Sequence, residues 1–219
     1  KRWFLKDENP NELPPEDRIG LGFHVGKVFD KGLDIKECFL QKDPSNAIRL
    51  FCKEYAVTHG LQFFDIRENV GFIRNMFVRT TETGDLMVIM CFFYEDREVR
   101  EAMLDAISQE FPQITSLYYV INSKLNDSIG DQECILYKGE PTIRETMEGL
   151  TFRIGAKSFY QTNTDQALEL YRKAREFAGL TGTDTVYDLY TGTGTIAQFV
   201  SKQAAKVIGI EYVPEAIED

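Results

Sequence analysis

The sequence predicts an α+β domain over residues 1–150, followed over residues 151–219 by the N-terminal part of an α/β domain. In the first part, two apolar segments joined by a short glycine turn indicate a β-hairpin, and segments with helical spacing of apolar residues lie on both sides of it. In the second part, a strand, a glycine turn, a helix and another strand follow one another, which is the pattern of a parallel βαβ unit.

The elements of the first part follow from apolar spacing and from turn residues. Residues 86–94 are apolar at nearly every position, as is typical of a central strand that is buried on both faces. The proline-rich, acidic stretch 9–17 predicts a solvated loop. In order, the other predicted elements are a hairpin with strands at 21–29 and 33–38 and a turn at 30–32, a helix between 43 and 60, strands at 71–81 and 86–94, a helix over 96–111, and strands at 117–121, 134–137, 144–149 and 150–154.

A helix is predicted next, between the last of these strands and the glycine turn. Thr162 and Asp165 lie three residues apart, as in a capping box, and predict its N-terminus. Gly179 is expected just beyond its C-terminal end. One face of this helix is apolar and comprises Ala167, Leu168, Leu170, Tyr171, Ala174 and Phe177.

The glycine turn near the C-terminus predicts a ligand site. Residues 186–189 read as a buried strand, and Gly192 and Gly194 allow a tight turn and the close approach of a ligand to the backbone. A helix starting near Thr195 would point its first amides at the same space. Glu211 ends the next parallel strand, where an acid in a Rossmann-like fold accepts hydrogen bonds from ribose hydroxyls.

Two ligands fit this pattern. The spacing Gly192-x-Gly194-x-x-Ala197 matches a dinucleotide site such as that for NAD, in which the glycines face a pyrophosphate. S-adenosylmethionine has no pyrophosphate, and an acid precedes the glycines of its sites, as Asp188 does here. The acid favours the methyl donor. A βα turn without any ligand is the third interpretation.

Composition limits the classes of function. The net charge is −10, with seven basic and nine acidic residues in 151–219 and an excess of eight acidic residues in 1–150. This balance disfavours strong non-specific binding to nucleic acid by this chain alone. The sequence contains no run of eighteen consecutive apolar residues, so no membrane span is predicted. The four cysteines are widely separated, as in proteins of a reducing compartment, so a cytoplasmic location is expected, and no obligate protein partner is evident.

Several motifs resemble the RNA uracil-C5 methyltransferases, which methylate C5 of a uridine in ribosomal or transfer RNA. They are Ser158-Phe-Tyr-Gln-Thr-Asn163, residues 187–195 and residues 208–214, and upstream Gly22-Phe-His24, residues 34–41 and residues 71–75. The resemblance covers nearly the whole chain. It implies S-adenosylmethionine as the cofactor and RNA as the partner.

The resemblance also implies roles for individual residues. Gln161, Tyr190, Thr195 and Glu211 would contact S-adenosylmethionine, together with the turn formed by Asp188, Gly192 and Gly194. Cys38 is similar to the last of four cysteines that hold a 4Fe-4S cluster in many family members, which favours ribosomal over transfer RNA as substrate. The other three would lie upstream of Lys1. A lone cysteine cannot hold such a cluster, so Cys38 could be a ligand only in a longer protein.

The family's nucleophilic cysteine and its catalytic acid would both lie beyond Asp219, so no catalytic residue is expected in this chain. We therefore expect a fragment that is catalytically inactive. Two other functions stay open. An NAD-dependent oxidoreductase would need a histidine near the cofactor, yet His24 and His59 both lie in the first part. A non-catalytic RNA-binding module would predict a basic face; Arg67, Arg74 and Arg79 around one hairpin are either contacts to RNA phosphates or part of a solvated strand face.

Overall fold

A computed structural model describes residues 20–213 and residue 217 of the chain; the predicted loop at 9–17 lies outside them. The described residues form ten strands and four helices. They are β1 (Phe23–Val25), β2 (Val28–Leu33), α1 (Ser45–Thr58), β3 (Ile73–Thr80), β4 (Leu86–Phe92), α2 (Arg97–Glu110), β5 (Ser116–Ile121), β6 (Ile135–Gly139), β7 (Ile143–Met147), β8 (Leu150–Ile154), α3 (Thr164–Ala178), β9 (Thr185–Leu189), α4 (Thr195–Ser201) and β10 (Lys206–Ile210).

A four-stranded sheet of order β3-β4-β5-β6 forms the centre of the first part. Strands β4 and β5 are parallel and are joined by α2, whereas the two outer pairs are antiparallel. A parallel pair needs a long crossover, and the helix supplies it. The side chain of Asp96 accepts a hydrogen bond from the Val99 amide at 3.2 Å and so caps the first turn of α2.

Strand β4 is buried on both faces, as the sequence predicts, and its alternate side chains enter two different clusters. Val88 and Met90 pack with buried residues of α1 and α2. Ile89 and Cys91 point to the opposite face and pack with residues of β7 and β8, which form an antiparallel hairpin. Because side chains alternate along a strand, one continuous apolar run supplies both layers of the core.

The first hairpin differs from the prediction. The turn was expected at residues 30–32, but Val25 pairs with Val28, so the turn is formed by Gly26 and Lys27. Lys27 has a φ of 67°, and β2 continues straight through the predicted turn. The chain reverses in this two-residue loop with Lys27 in the left-handed region, and the resulting strand pairing outweighs the turn preference of Asp30 and Gly32.

Gly71 lies where β3 approaches the chain before it. Its φ is 106°, and a Cβ atom added there would lie 2.4 Å from the carbonyl oxygen of Phe63. Gly84, in the turn between β3 and β4, has a similar φ of 92° but has no atom within 4 Å of its Cβ position. A Cβ atom at Gly84 would therefore cost only backbone strain, whereas a Cβ atom at Gly71 would add a steric clash to a similar strain.

We expect Gly84→Ala to lower the free energy of unfolding by about 1 kcal/mol, because alanine is strained at positive φ. Gly71→Ala should cost roughly 2 kcal/mol more, since the backbone of residue 63 must also move. Urea unfolding of both variants measures the difference. Equal losses at the two positions would show that the contact with Phe63 relaxes without cost.

The second part of the chain consists of α3 and a βαβ unit. Strands β9 and β10 are parallel, in register from Thr185 opposite Lys206 to Leu189 opposite Ile210, and α4 joins them. Helix α3 ends at Gly179, whose left-handed φ of 56° agrees with the sequence prediction. The proposed division at 150/151 falls inside the hairpin of β7 and β8, and two separate domains stay a prediction.

Three details of this part differ from the sequence predictions. Asn163, not Thr162, caps α3, because its side chain accepts a hydrogen bond from the Gln166 amide at 3.0 Å. Only Ala167 and Tyr171 of the predicted apolar face of α3 are buried. Strand β9 was expected to be buried, yet Tyr187 and Leu189 are each 61% exposed. Side chains alternate between the two faces of a strand, and the face that carries these two residues is left largely uncovered by the described part of the chain.

Candidate functional site

The turn between β9 and α4 has an unusual backbone. Tyr190, Gly192 and Gly194 all have positive φ, at 61°, 57° and 74°. The Thr191 amide donates to the carbonyl of Ile210 at 3.1 Å, which fixes the turn to the end of β10. Both predicted glycines therefore lie where the backbone conformation favours glycine. Tyrosine at such a φ costs about 1–3 kcal/mol and is found where the surrounding structure needs the strain, often at functional sites.

Asp188 holds this turn from within β9. One of its carboxylate oxygens accepts hydrogen bonds from the Thr191 hydroxyl at 2.7 Å and from the Ala197 amide at 2.9 Å. Ala197 lies in the first turn of α4, where backbone amides have no partner within the helix. Gly194, the N-cap residue, has no side chain to cap them. The acid that the sequence singled out thus joins the strand, the turn and the helix.

Glu211 meets the same turn from the end of β10. One carboxylate oxygen accepts from the Gly192 amide at 2.8 Å, and the other accepts from the amides of Tyr212 and Val213 at 2.8 and 2.9 Å. The hydrogen bonds from Val213, Gly192 and Tyr212 lower the pKa of this carboxyl below its ordinary value of 4.5. Three of the roughly four acceptor positions of the carboxylate are therefore occupied by main-chain donors.

This arrangement predicts a pH dependence at the turn. Because the folded-state pKa of Glu211 is depressed, its contribution to stability is present above pH 4.5 and is lost as the pH falls through the lower folded-state pKa. We expect the NMR signal of the Gly192 amide to be constant at neutral pH and to shift with a midpoint below 4.5. In Glu211→Gln this titration should disappear. A midpoint at or above 4.5 would contradict the predicted stabilisation.

The remaining predicted ligand contacts differ in their surroundings. Tyr190 is 89% exposed, so its ring is available to cover a molecule bound at the turn. Thr195 is buried, and its hydroxyl lies 3.1 Å from that of Thr193. Gln161 is half-buried in the loop before α3, and no hydrogen bond among the described residues joins it to the glycine turn. The structure therefore joins Gly192 to Glu211 by a direct hydrogen bond and holds Asp188 on the neighbouring Thr191 and Ala197. Gln161 is not among the residues that hydrogen bonds bring together at the turn in the described part of the chain.

The central sheet holds the loop that carries Gln161. Arg79 of β3 donates from one nitrogen to the carbonyls of Gly155 and Ser158, at 3.2 and 2.7 Å. Ser158 is itself buried and accepts from the Gly155 amide at 3.0 Å. Arg79, one of the three arginines considered for RNA phosphates, thus positions a loop of the second part. Nothing in its sequence neighbourhood indicated this role.

Glu145 of β7 is a second link that the sequence did not reveal. It is only 1% exposed, and its carboxylate accepts from the Glu82 amide, the Thr146 amide and the Thr164 hydroxyl. These three donors lie in the β3–β4 turn, in β7 and in the first turn of α3. A buried carboxylate needs such donors to offset its desolvation. The side chain therefore connects the central sheet to the start of α3.

The other two arginines of that group also have internal partners. Arg67 donates to Asp30 at 2.5 Å. Arg74 is completely buried and donates to three carbonyls and to Asp127, while its guanidinium lies 4.3 Å from the ring centroid of Phe64. Both earlier interpretations are wrong for Arg74, because this side chain meets neither solvent nor a surface ligand.

The four cysteines do not fit a metal cluster. Cys52 and Cys91 are buried in separate apolar clusters, and burial raises the pKa of each thiol to about 12. Burial also raises the pKa of Cys134. Cys38 donates its amide to the Asn46 side chain at 2.9 Å. Within the described part of the chain, no group of three or more metal-binding side chains comes together.

The described helices do not include a candidate for a membrane span. Of the helices that the structure describes, none combines the length and the apolar character that crossing a bilayer requires.

Comparison with known proteins gives the following similarities. The chain is 59% identical over its whole length to a protein of Porphyromonas gingivalis named uncharacterized RNA methyltransferase, and 52% identical to one of the same name from Bacteroides thetaiotaomicron. It covers 48% and 49% of these proteins, so it spans about half the length of the curated relatives it matches. No model of a known protein family matches the chain.

One solved structure extends the comparison. The crystal structure of the Pyrococcus abyssi tRNA (uracil-54, C5)-methyltransferase in complex with S-adenosyl-L-homocysteine superposes with a TM-score of 0.71. It is 25% identical to this chain, and the match covers 90% of this chain and 47% of the other. The resemblance to RNA methyltransferases is therefore confirmed, and a Rossmann-like methyltransferase fold is supported.

Proposed function

From this similarity to RNA methyltransferases, we propose that the protein containing this chain transfers a methyl group from S-adenosylmethionine to C5 of a uridine in RNA. The observation that carries the proposal is the convergence of two acids on one turn. Asp188 binds the first turn of α4, and Glu211 binds the Gly192 amide, so both carboxylates lie at the mouth of the same βαβ unit. The methyl-donor interpretation of the sequence rested on Asp188 before the glycines and on Glu211 after the second strand.

The proposed cofactor contacts use the hydrogen-bonding positions and the exposed surfaces that internal contacts leave available. Glu211 keeps roughly one acceptor position for a ribose hydroxyl, and a second hydroxyl would have to replace the Gly192 amide. Tyr190 offers an exposed aromatic ring that can pack on the ligand. Gln161 offers an amide for the amino-acid end of the methyl donor. Thr195 begins α4, whose first turn would lie beside the ligand.

Asp188 also argues against the dinucleotide alternative. Its carboxylate already accepts the Ala197 amide and places a negative charge at the N-terminus of α4. That position is where a dinucleotide fold binds its pyrophosphate, which would be repelled there. S-adenosylmethionine has no phosphate, so the same arrangement does not oppose it. The non-catalytic RNA-binding alternative loses support because Arg74 and Arg79 have internal partners.

We propose ribosomal RNA as the substrate, because Cys38 resembles a cluster ligand of those family members that hold a 4Fe-4S cluster. The similar Pyrococcus abyssi protein, in contrast, is named for transfer RNA. A 4Fe-4S cluster finds no support among the described residues, because Cys52, Cys91 and Cys134 form no group of metal-binding side chains there. Cys38 as a cluster ligand thus depends entirely on residues outside this chain.

Two measurements test the proposal. Calorimetry on the full-length protein should show binding of S-adenosylhomocysteine and none of NAD. Tritiated S-adenosylmethionine should then label unmodified ribosomal RNA at a uridine, with unmodified transfer RNA as the comparison substrate. The 219-residue chain alone should transfer no methyl group, since the resemblance places the nucleophile beyond residue 219. Binding of NAD in place of S-adenosylhomocysteine, or turnover by the chain alone, would contradict this assignment.

A further inference from the structure

The loop that carries Gln161 is fixed on both sides by residues of the first part of the chain. On its N-terminal side, one guanidinium nitrogen of Arg79 in β3 donates to the carbonyls of Gly155 and Ser158, at 3.2 and 2.7 Å. These two residues also bond each other, because the Ser158 amide donates to the Gly155 carbonyl at 3.3 Å and the Gly155 amide donates to the Ser158 hydroxyl at 3.0 Å. Arg79 therefore holds a closed turn that ends three residues before Gln161.

On the C-terminal side of the loop, the anchor is the carboxylate of Glu145 in β7. One of its oxygens accepts from the Thr164 hydroxyl at 3.2 Å, three residues after Gln161, and from the Glu82 amide of the β3–β4 turn at 3.0 Å. The first residue of α3 and a turn of the central sheet are thus held on a single atom. Glu145 is buried, so its donors also offset the desolvation of the charge.

Between the two anchors, Tyr160 holds the residue next to Gln161. Its side chain packs against two apolar clusters, one that contains Ile89 of the central sheet and one that contains Tyr171 of α3. The ring centroids of Tyr160 and Phe152 in β8 lie 6.2 Å apart. The backbone is therefore held on both sides of Gln161, and a segment fixed in this way loses little conformational freedom when it binds a ligand.

The two halves of the proposed cofactor site are built by different parts of the chain. Asp188 and Glu211 are held by main-chain and hydroxyl donors that all lie within residues 191–213. The half that would meet the ribose is thus formed by β9, α4 and β10. The half that would meet the amino-acid end of the methyl donor is held by β3 and β7 through the anchors at Arg79 and Glu145. A change at either anchor can therefore disturb one half of the site and leave the other in place.

We infer that Arg79 and Glu145 are positioning residues that set the affinity of the site for the amino-acid end of the methyl donor. The inference rests on the proposed function, because Gln161 meets that end only if the site binds S-adenosylmethionine. Each anchor acts through the loop and not on the ligand itself. Loss of an anchor lowers the fraction of molecules in which Gln161 is in place, and the apparent affinity falls by that fraction. Ligands that consist of the adenosine part alone are bound as before.

The test measures two ligands by calorimetry on the full-length protein. S-adenosylhomocysteine has the amino-acid end, whereas methylthioadenosine lacks it and keeps the adenosine. Arg79→Met removes the N-terminal anchor, and Arg79→Lys keeps a cationic donor at the same position. Thr164→Val removes the hydroxyl that joins α3 to Glu145, while the carboxylate keeps its two amide donors. Arg100→Met is the control, because this buried arginine of α2 pairs with Glu95 on the opposite face of the central sheet.

We expect Arg79→Met to weaken binding of S-adenosylhomocysteine about tenfold and Thr164→Val about threefold, with methylthioadenosine bound within about twofold of the wild type. Arg79→Lys should recover most of the loss, and Arg100→Met should leave both affinities unchanged. The role of an anchor is refuted if its variant binds S-adenosylhomocysteine like the wild type or weakens both ligands equally. If Arg79→Met does not fold, Ser158→Ala replaces it, because it removes the hydroxyl that closes the turn.

Failure of the proposed function would give a different result. A wild-type protein that does not bind S-adenosylhomocysteine refutes the cofactor assignment itself, and the inference falls with it. Wild-type binding together with unchanged variants leaves the proposed function standing and removes only the roles of Arg79 and Glu145.

Discussion

Replacing Arg74 by methionine is expected to lower the free energy of unfolding by about 3–5 kcal/mol, although the change preserves most of the side-chain volume. The guanidinium is fully buried and donates to the carbonyls of Asn122, Lys124 and Asn126 at 2.8, 2.5 and 2.8 Å. Methionine leaves the carbonyls of Asn122 and Lys124 without these donors, whereas the Asn126 carbonyl keeps a hydrogen bond from the Asn122 side-chain amide at 3.1 Å. Each buried polar group left unpaired costs about 1–3 kcal/mol. The loop after β5 would lose its main attachment to the sheet.

A matched control separates this effect from the loss of any arginine. Arg97 is 79% exposed and pairs with Glu101 one helical turn away. Arg97→Met should change stability by no more than about 0.5 kcal/mol, as is usual for an exposed pair. Urea denaturation of both variants gives the comparison. If Arg74→Met were as mild as Arg97→Met, the carbonyls of Asn122 and Lys124 would have found other partners, and the loop would not depend on the arginine.

Arg74 also shows where sequence reasoning stops. An arginine in a strand of mixed character looks the same whether it faces water or a buried loop, because the partners are main-chain carbonyls about fifty residues later. Glu145 is similar, since its donors come from residues 82, 146 and 164. No local spacing encodes such contacts. Asn163 is a different case, because asparagine is itself a preferred N-cap residue and the cap could have been predicted locally. The neighbouring Thr162 offered a competing cap, and the sequence prediction chose it.

What the sequence could predict is what local chemistry controls. The continuous apolar run of β4 identified a strand buried on both faces, and Gly192 and Gly194 identified positions of positive φ. Apolar character alone did not determine the burial of β9, since burial depends on which neighbouring elements cover a strand. The acids at the turn were found because their spacing reflects the geometry of a βαβ unit.

The two parts of the chain are joined at the point where the proposed cofactor site begins. Arg79 holds residues 155 and 158, and Glu145 holds the first turn of α3 through the Thr164 hydroxyl. Both contacts flank the loop that contains Gln161. The central sheet therefore positions one proposed cofactor contact, while β9 and β10 position the others, so a ligand bound by Gln161 and Glu211 would span both.

Asp188→Ala is expected to weaken binding of S-adenosylhomocysteine to the full-length protein by about 30-fold, or roughly 2 kcal/mol. Asp188 holds the Thr191 hydroxyl and the Ala197 amide, and loss of such a cap costs up to about 2 kcal/mol. Without it, the turn with its strained Tyr190 is ordered in only a fraction of the molecules. The apparent affinity falls by that fraction, even if Asp188 never touches the ligand.

The other end of the same strand provides the control. Asp184 makes a comparable pair of hydrogen bonds, to the amide and the hydroxyl of Thr181, both at 2.7 Å, but it lies away from the glycine turn. Asp184→Ala should leave the affinity unchanged within about twofold. Calorimetry measures both variants, and amide exchange at Gly192 and Gly194 shows whether the turn has loosened. A normal affinity in Asp188→Ala with a loosened turn would mean that the cofactor is bound without this βα turn, and the proposed site would have to be placed elsewhere in the protein.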